Sequence, residues 1–409
     1  MSGNFLVKSE TTKFNGLSIW QAETFLMIAF TTFAMYVSVV PLTIYFLIRC
    51  VPQQRAHKLV PWIVLVFLCI LSTQKEITGD SSVYKEYLEY LRKVDLATSL
   101  SHTFISIRPF EFCFVSLSYI SLLAGPYDIL FLIAACTFLV YISTYYTIFN
   151  LFTISDNNEH LKSNKILIIS VLFAFLISIN FSWVVYLLRQ YLGISFFFLS
   201  LSFFFKRRYS VAIFILALSV GFHISTLALV AIAAIAGVSM RLFIVAPVAA
   251  LTIGLAAQPI LNELDLIAAT FSKDDGSVPT LLIALDIILI SSYITLCVFL
   301  GRFSKWDNFF INLLIIYIGF LFFTQNYSLL FLRFYVVVDI IRALVFCSAI
   351  TKIDFLFYRW PFLLILFLGL FSFFYRFSQN PWTFTDNSSS LLSISLVDII
   401  NRITINVVL

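Results

Sequence analysis

The sequence predicts an all-α protein that crosses a membrane many times. Hydrophobic residues make up 61% of the 409-residue chain and charged residues only 11%, whereas soluble domains carry about 25% charged residues. A bilayer core of about 30 Å needs roughly 17 to 25 apolar residues per helix, and the chain offers many runs near that length. We therefore expect a single integral membrane domain over residues 1–409, with about 12 to 13 transmembrane helices.

The apolar runs give the expected helices in chain order. They lie near 22–48, 58–73, 127–150, 165–181, 183–205, 209–222, 224–239, 241–257, 280–300, 308–325, 329–350 and 356–376. The tail 391–409 is apolar but contains Asp398, Asn401 and Arg402, so an interfacial helix and a final short span are both open. The first apolar run is too long for a cleavable signal peptide, and none is expected.

Basic residues in short loops predict the orientation, because such loops favour the cytoplasm. The loops around Lys58, Lys162 and Lys206 are accordingly expected inside, which leaves the N-terminus periplasmic. Two larger outer loops follow, at 74–124 and 258–279. The later basic loops agree with this assignment only if the apolar run 110–124 does not cross. We therefore expect a helix near 109–124 that lies in the outer interface or is re-entrant.

The distribution of charge and of cysteines argues against nucleic-acid binding and against a cysteine metal site. The formal net charge of +5 is concentrated in those short loops, and no basic surface interleaved with aromatic residues indicates a nucleic-acid partner. The six cysteines lie in or beside apolar runs without the paired spacing of metal ligands, and they are expected to act as small hydrophobic residues.

With this topology, several ionisable residues arrive near the same outer face of the membrane. They are Asp80, Arg189, His223, Arg333 and Arg376. Ionisable residues inside membrane segments are unfavourable unless they have a partner or a function. A protein that gathers them on one side is expected to act on a molecule there.

The first of these residues belongs to a short amphipathic pattern. Asp80, Tyr84 and Tyr87 have the spacing i, i+4, i+7, which places a carboxylate and two phenols on one face of a helix. Such a face suits a sugar. The alternative is an Asp that caps an amphipathic helix whose tyrosines lie at the headgroup belt.

Arg189 and His223 stand in apolar surroundings. Arg189 lies in the run 183–205, roughly two turns below the expected outer surface, and its fork of donors suits a phosphate; the alternative is snorkelling to the headgroups. His223 follows Gly221 and Phe222 at an outer boundary, where an imidazole can accept a proton. A satisfied structural histidine is the alternative.

One later helix repeats the pattern of charge and aromatic residues. Arg333 and Tyr335 precede Asp339, whose neighbours on the same helix face are Tyr335 and Arg342. We expect Arg333 to contact a ligand and Arg342 to pair with Asp339.

These segments resemble the EpsG-type polysaccharide polymerases, a Wzy-like family. The resemblance lies in 186–194 (YLLRQYLGI), the basic turn 206–208 (KRR) and 222–225 (FHIS). Further similar elements are Asp80 with 84–87 (YKEY), 108–112 (RPFEF) and 333–335 (RFY). The chain departs from the family at 191–193 (YLG), where members often carry smaller residues.

The resemblance implies a GT-C-like helical fold and a glycosyltransferase that joins undecaprenyl-diphosphate-linked oligosaccharide repeat units at the periplasmic face of the bacterial inner membrane. For such a reaction, our hypotheses for the group that removes the acceptor proton are His223 first and Asp80 second. Arginines and polar residues would bind the donor and acceptor. We expect the diphosphate on Arg189, Arg333 and Arg376, and the sugar on Tyr84, Tyr87, Gln190 and Tyr335.

No Asp-X-Asp pair lies in an outer loop beside these groups, so neither a metal nor another cofactor is expected. Membrane lipids and the lipid-linked oligosaccharide are the expected partners, with a chain-length regulator as a further candidate. The main alternative is a lipid-linked oligosaccharide flippase or another multi-pass transporter, although transporters usually place such groups near the midplane. A surface-polysaccharide O-acyltransferase is a third hypothesis, which an assay of chain length separates from a polymerase.

Overall fold

A computed structural model describes residues 59–73, 80–101, 107, 111–154, 164–239, 305–324 and 328–350. Within these ranges the chain is mostly helical and contains no strand, which confirms the all-α class for the described part. The expected runs 22–48, 241–257, 280–300 and 356–376, the outer loop 258–279 and the tail 391–409 lie outside the described residues.

The described residues up to 154 form five α-helices. They are α1 Val60–Ser72, α2 Asp80–Leu91, α3 Leu96–Ser101, α4 Phe112–Ser121 and α5 Asp128–Ile154. Helix α2 contains the predicted Asp80, Tyr84 and Tyr87 pattern. Helix α4 begins at Phe112, later than the expected 109, and the expected start at Pro109 lies outside the described residues.

The described residues from 164 onward form seven more. They are α6 Asn164–Phe173, α7 Phe181–Tyr186, α8 Leu188–Phe205, α9 Tyr209–Phe222, α10 Thr226–Ser239, α11 Lys305–Thr324 and α12 Ser328–Ile350. A turn of π-helix, Ala174–Ser178, extends α6. Except at 183–205, these helices follow the predicted apolar runs closely.

The expected run 183–205 is two helices rather than one. Leu187 has φ −106° and ψ 48°, which interrupts the helical backbone between α7 and α8. Arg189 consequently lies in the first turn of α8 and not two turns inside a continuous helix, as the sequence suggested. An apolar run carries no signal for such a break, because Leu is itself a good helix former.

A second break separates α4 from α5. A 3₁₀ segment, Leu122–Tyr127, joins them, and Gly125 within it has φ +62° and ψ −122°. L side chains rarely adopt this conformation, so a glycine is needed here. The apolar segment therefore bends at Gly125 instead of forming one straight rod.

Two helical segments within the described ranges are long and apolar enough to cross a membrane. They are Phe112–Ile154, which includes the bend, and Leu188–Phe205. Shorter apolar helices include α1, α9 and parts of α10 and α11. Ten residues of α4 extend only about 15 Å, so α4 alone is too short to cross. Its position in the outer interface stays a prediction.

Helix α8 lies at the centre of the described core and packs most extensively against α9 and α5. Polar side chains also join these helices: Ser200 Oγ donates to the carbonyl of Ala212 at 2.7 Å, and Asn150 Nδ2 donates to Ser202 Oγ at 3.0 Å. Lys206 Nζ donates to Asn150 Oδ1 at 2.6 Å and ties the C-terminal ends of α8 and α5 together. The opposite end of α8 carries the candidate site.

Candidate functional site

Glu111 joins two of the residues that the sequence singled out. Its Oε2 accepts a hydrogen bond from Arg189 Nη1 at 2.5 Å, and its Oε1 lies 2.6 Å from His223 Nδ1. The carboxyl group therefore uses one oxygen for the cation and the other for the imidazole. We call Arg189, Glu111 and His223 the Glu111 cluster.

Three different parts of the chain form this cluster. Glu111 immediately precedes α4, Arg189 lies in the first turn of α8, and His223 immediately follows α9. The backbone of His223 is extended, and its N–H donates to the carbonyl of Ser219 at 3.1 Å. Its own carbonyl accepts bonds from the N–H and the hydroxyl of Thr226 at the start of α10. The histidine backbone is thus held from both sides.

Two glycines bring the helices close enough for these contacts. A Cβ on Gly193 of α8 would lie 2.7 Å from Cγ2 of Thr226 and 3.0 Å from Cβ of His223. Ser219 Oγ also donates to the carbonyl of Gly193 at 2.7 Å. This close approach explains the glycine in the 191–193 segment, where the chain departs from the family pattern.

The second glycine acts on the other side of the cluster. A Cβ on Gly221 of α9 would lie 2.7 Å from Sγ of Cys113 and from the ring of Phe112. Because both contacts belong to the start of α4, this position sets the distance between α9 and the segment that carries Glu111. Small residues at helix interfaces commonly serve this purpose in membrane proteins.

Aromatic rings surround the guanidinium of Arg189. Its Cζ lies 5.8 Å from the centroid of the Tyr84 ring and 5.7 Å from that of Phe114, and the two rings lie 5.4 Å apart. Rings at these distances attract a cation. Tyr84 and Tyr87 share one buried face of α2, and Tyr84 supports Arg189 from there.

Accessibility differs within the Glu111 cluster. The side chain of Glu111 is 1% exposed and that of Arg189 is 11% exposed, whereas that of His223 is 23% exposed. Burial raises the pKa of Glu111, but the hydrogen bond and charge of His223 and the charge of Arg189 lower it, and the net pKa lies below its usual value. The carboxylate is therefore ionised at neutral pH and balances the buried arginine.

A second buried carboxylate, Asp339 of α12, has a different set of partners. Its Oδ2 accepts bonds from Tyr191 hydroxyl at 2.9 Å and from the N–H of Asn180 at 3.2 Å, and its Oδ1 accepts one from Arg342 Nη1 at 3.3 Å. Arg342 Nη2 also donates to the hydroxyl of Tyr335 at 2.6 Å. The expected pairing of Asp339 with Arg342 is confirmed. We call these five residues the Asp339 cluster.

The other predicted site residues are placed less completely. Gln190 is buried beside Arg189, and Tyr335 is buried against Trp183, with ring centroids 5.8 Å apart. Asp80 begins α2 and Arg333 lies on α12, but their side chains are outside the described part, as is all of Arg376.

Sequence reasoning missed the role of Glu111. Glu111 lies in the segment 108–112, which resembles the polymerase family, but neither the motifs nor the spacing gave it a role of its own. A buried arginine in an apolar run needs a counter-charge, and Glu111 is an acidic residue that opens another apolar run. That requirement was the available signal. Spacing along the chain could not reveal the contacts, because Arg189 is 78 positions and His223 is 112 positions from Glu111.

In the ranges that the structure covers, no group of three or more His, Cys, Asp or Glu side chains is arranged to hold a metal ion. The described cysteines, Cys69, Cys113, Cys136 and Cys347, are free thiols. Metal independence stays a prediction.

Comparisons with known proteins add no family. No protein-family model matches the chain, and neither a curated protein nor a solved structure shows significant similarity to it. The resemblance to the EpsG-type polymerases therefore rests on the short motifs alone.

Proposed function

We propose that this protein is a polytopic membrane glycosyltransferase that joins lipid-linked oligosaccharide repeat units into a polysaccharide. The observation that carries the proposal is the convergence of Arg189 and His223 on Glu111. A cation suited to a diphosphate and an imidazole suited to a proton thereby lie on one carboxylate. Both come from segments that resemble the motifs of the polymerase family.

The geometry of α8 supports an assignment to the outer face. Arg189 and Lys206 lie at opposite ends of this helix, about 26 Å apart at roughly 1.5 Å per residue. This distance approaches the thickness of the hydrocarbon core, about 30 Å. If the basic turn 206–208 is cytoplasmic, as its charge predicts, the Glu111 cluster faces the periplasm. We accordingly propose about 12 to 13 spans in the inner membrane, a GT-C-like arrangement and a periplasmic N-terminus.

The proposed donor is an oligosaccharide on undecaprenyl diphosphate, which is a good leaving group. Such a transferase must bind the diphosphate, align the acceptor and remove its proton. Arg189, with Arg333 and Arg376, binds the diphosphate through charge-assisted hydrogen bonds. His223 accepts the proton from the acceptor hydroxyl, with Asp80 as the second candidate. Arginine charge then stabilises the departing diphosphate without a metal.

The sugar contacts are proposed for Tyr84, Tyr87, Gln190 and Tyr335. The ring of Tyr84 lies against Arg189, and Tyr335 binds Arg342. Tyr87 and Gln190 are buried beside them. Tyr84 and Tyr335 thus hold arginines in place, and we propose that all four residues also contact the sugar.

The test is polymer length, read as a gel ladder, in cells that lack this gene and carry a complementing copy. The variants are Arg189→Ala and His223→Ala, compared with wild type at matched membrane levels. Arg92→Ala is the matched control for the arginine, because Arg92 is half-exposed and pairs with Asp128 away from the Glu111 cluster. His160→Ala is the control for the histidine, since its loop is expected on the cytoplasmic side.

We expect single-repeat material in the null strain and in both site variants, and a full ladder with wild type and both controls. A full ladder from Arg189→Ala and His223→Ala would remove the proposed roles. Loss of even the single-repeat species in the null strain would contradict the polymerase and favour a flippase.

A further inference from the structure

Glu111 is a buried carboxylate to which the proposed reaction so far gives no task. Both of its oxygens are occupied, one by Arg189 and one by His223, and these partners come from different helices. The side chain of Glu111 is only 1% exposed, so it cannot bind a ligand at the protein surface. What this carboxylate does to the two groups it binds is therefore the question.

Its effect on His223 follows from the hydrogen-bond chemistry of an ionised carboxylate. A carboxylate only accepts hydrogen bonds, so the 2.6 Å contact with Oε1 requires a proton on Nδ1 of His223. In the neutral ring the lone pair is then on Nε2. Within the described part of the chain, no hydrogen bond reaches that second nitrogen. Nε2 is thus the nitrogen with basic character, on the most exposed side chain of the cluster.

The effect on Arg189 follows from charge. An arginine in an apolar run needs a partner, and Glu111 gives it one at 2.5 Å while the rings of Tyr84 and Phe114 hold it from the side. The pair has no net charge. A proton that arrives on Nε2 adds one positive charge directly beside the carboxylate, where it is stabilised.

We infer that Glu111 is the positioning residue of this site: it fixes His223 in the tautomer whose Nε2 is the base, stabilises the imidazolium that forms, and holds Arg189 beside it. This inference rests on the proposed function and assigns a residue that the motifs left without a role. Glu111 acts through His223 and Arg189 and touches neither the donor nor the acceptor.

Glu111 serves the transfer of the donor sugar to the acceptor hydroxyl. The acceptor hydroxyl oxygen forms a bond to the anomeric carbon of the donor, and the bond from that carbon to the diphosphate oxygen breaks. The electron pair of the broken bond leaves with the diphosphate. The hydroxyl proton moves to Nε2 of His223 and then passes to water. Glu111 remains a carboxylate throughout.

The first part of the test is independent of activity. Histidine NMR on isotope-labelled full-length protein in lipid nanodiscs reports which ring nitrogen carries the proton, and replacing His57, His102 and His160 by Gln leaves His223 as the single signal. At a pH where the ring is neutral, we expect the proton on Nδ1, and we expect this preference to be lost in Glu111→Ala. A proton on Nε2 in the protein with native Glu111, or an unchanged tautomer in Glu111→Ala, would overturn the inference.

The second part is a kinetic comparison on purified protein with lipid-linked repeat units. Glu111→Gln keeps the shape, but its single amide oxygen can replace only one of the two accepting carboxylate oxygens, and it cannot stabilise the imidazolium by charge. We expect kcat to fall about 10- to 100-fold while KM changes little, a loss similar to that seen when groups that orient metal-bound histidines are replaced. Glu111→Asp keeps the charge and should retain more activity than Glu111→Gln.

Asp339→Asn is the matched control, because it neutralises another buried carboxylate, on α12, which contacts α8 through Tyr191 and not through Arg189. We expect less folded protein but an unchanged kcat per folded molecule. Wild-type kcat in Glu111→Gln, or an equal fall in Asp339→Asn, would contradict the positioning role. Absence of polymerisation by wild type would instead contradict the proposed function, and the tautomer measurement would still decide what Glu111 does to His223.

Discussion

Two buried carboxylates, Glu111 and Asp339, lie on different sides of the same helix turn and are used differently. Arg189 and Tyr191, which bind them, are two residues apart on α8 and so point to nearly opposite sides of it. Glu111 binds a histidine whose side chain is 23% exposed, whereas Asp339 binds a backbone N–H, a tyrosine and an arginine that are all mostly buried. The comparison teaches that both clusters bury a carboxylate beside an arginine, and that the partly exposed imidazole of His223 is what distinguishes the Glu111 cluster.

The Asp339 cluster holds several helical segments together. Besides the side-chain bonds, Ser178 Oγ donates to the carbonyl of Asp339 at 2.5 Å, so that the π-helical turn, α8 and α12 all meet at one residue. The Glu111 cluster instead joins the ends of α8 and α9 to the start of α4. We therefore expect substitutions in the Asp339 cluster to lower mainly the stability of the protein, and substitutions in the Glu111 cluster to lower mainly its turnover.

The largest effect is expected for Asp339→Ala. The change leaves the mostly buried Arg342 without its carboxylate, and removing one partner of a fully buried ion pair typically destabilises a protein by about 3 to 5 kcal/mol, which is the upper end of the loss expected here. We expect a large loss of thermal stability in detergent, with unchanged turnover per folded molecule. Unaltered stability together with lost turnover would show that Asp339 belongs to the reaction site and would remove the distinction.

A smaller loss of stability, accompanied by a lower turnover, is expected for Gly193→Ala. The added methyl group would lie 2.7 Å from Thr226 and 3.0 Å from Cβ of His223, so α8 and the histidine must move apart. Overpacking of this kind costs about 1 to 3 kcal/mol, and the displaced histidine should also lower turnover. Gly237→Ala is the matched control, because a Cβ there meets nothing within 4 Å. Equal behaviour of the two variants would contradict a role for close packing at Gly193.

The smallest effect is expected for Tyr191→Phe. The change removes one donor from Asp339 but leaves Asn180 and Arg342 in place, and we expect a loss of about 1 kcal/mol. Polymer length should stay at the wild-type value, because the Glu111 cluster is untouched. Tyr209→Phe, at an exposed position on α9, is the control for loss of a tyrosine hydroxyl. Shortened polymer in Tyr191→Phe alone would mean that the two sides of α8 are coupled.

The sequence predicted one of these clusters in part and not the other. Asp339 and Arg342 are three residues apart on one helix, and local spacing is enough to pair them. Tyr191 was not expected there, since it comes from α8. Glu111, Arg189 and His223 are far apart in sequence, and nothing in periodicity specifies which helix ends meet.

The helices themselves were largely predictable, because apolar runs of suitable length determine them. The breaks were less so. Gly125 precedes Pro126, a dipeptide typical of turns, whereas Leu187 carries no such signal and its interruption depends on the packing around it. The position of Arg189 in a first turn, and with it the location of the site at a helix end, could not be read from composition.

The bend at Gly125 also bears on how the chain is divided between the two sides of the membrane. A straight helix over 43 residues would extend about 65 Å, twice the hydrocarbon thickness. The left-handed backbone at this single glycine allows α4 to leave the direction of α5 before it has gone through the bilayer. In the proposed topology, the assignment of every later loop to one compartment or the other depends on that one residue. In that proposed topology, the backbone angle of a residue without a side chain determines on which side of the membrane Arg189 and His223 contact Glu111.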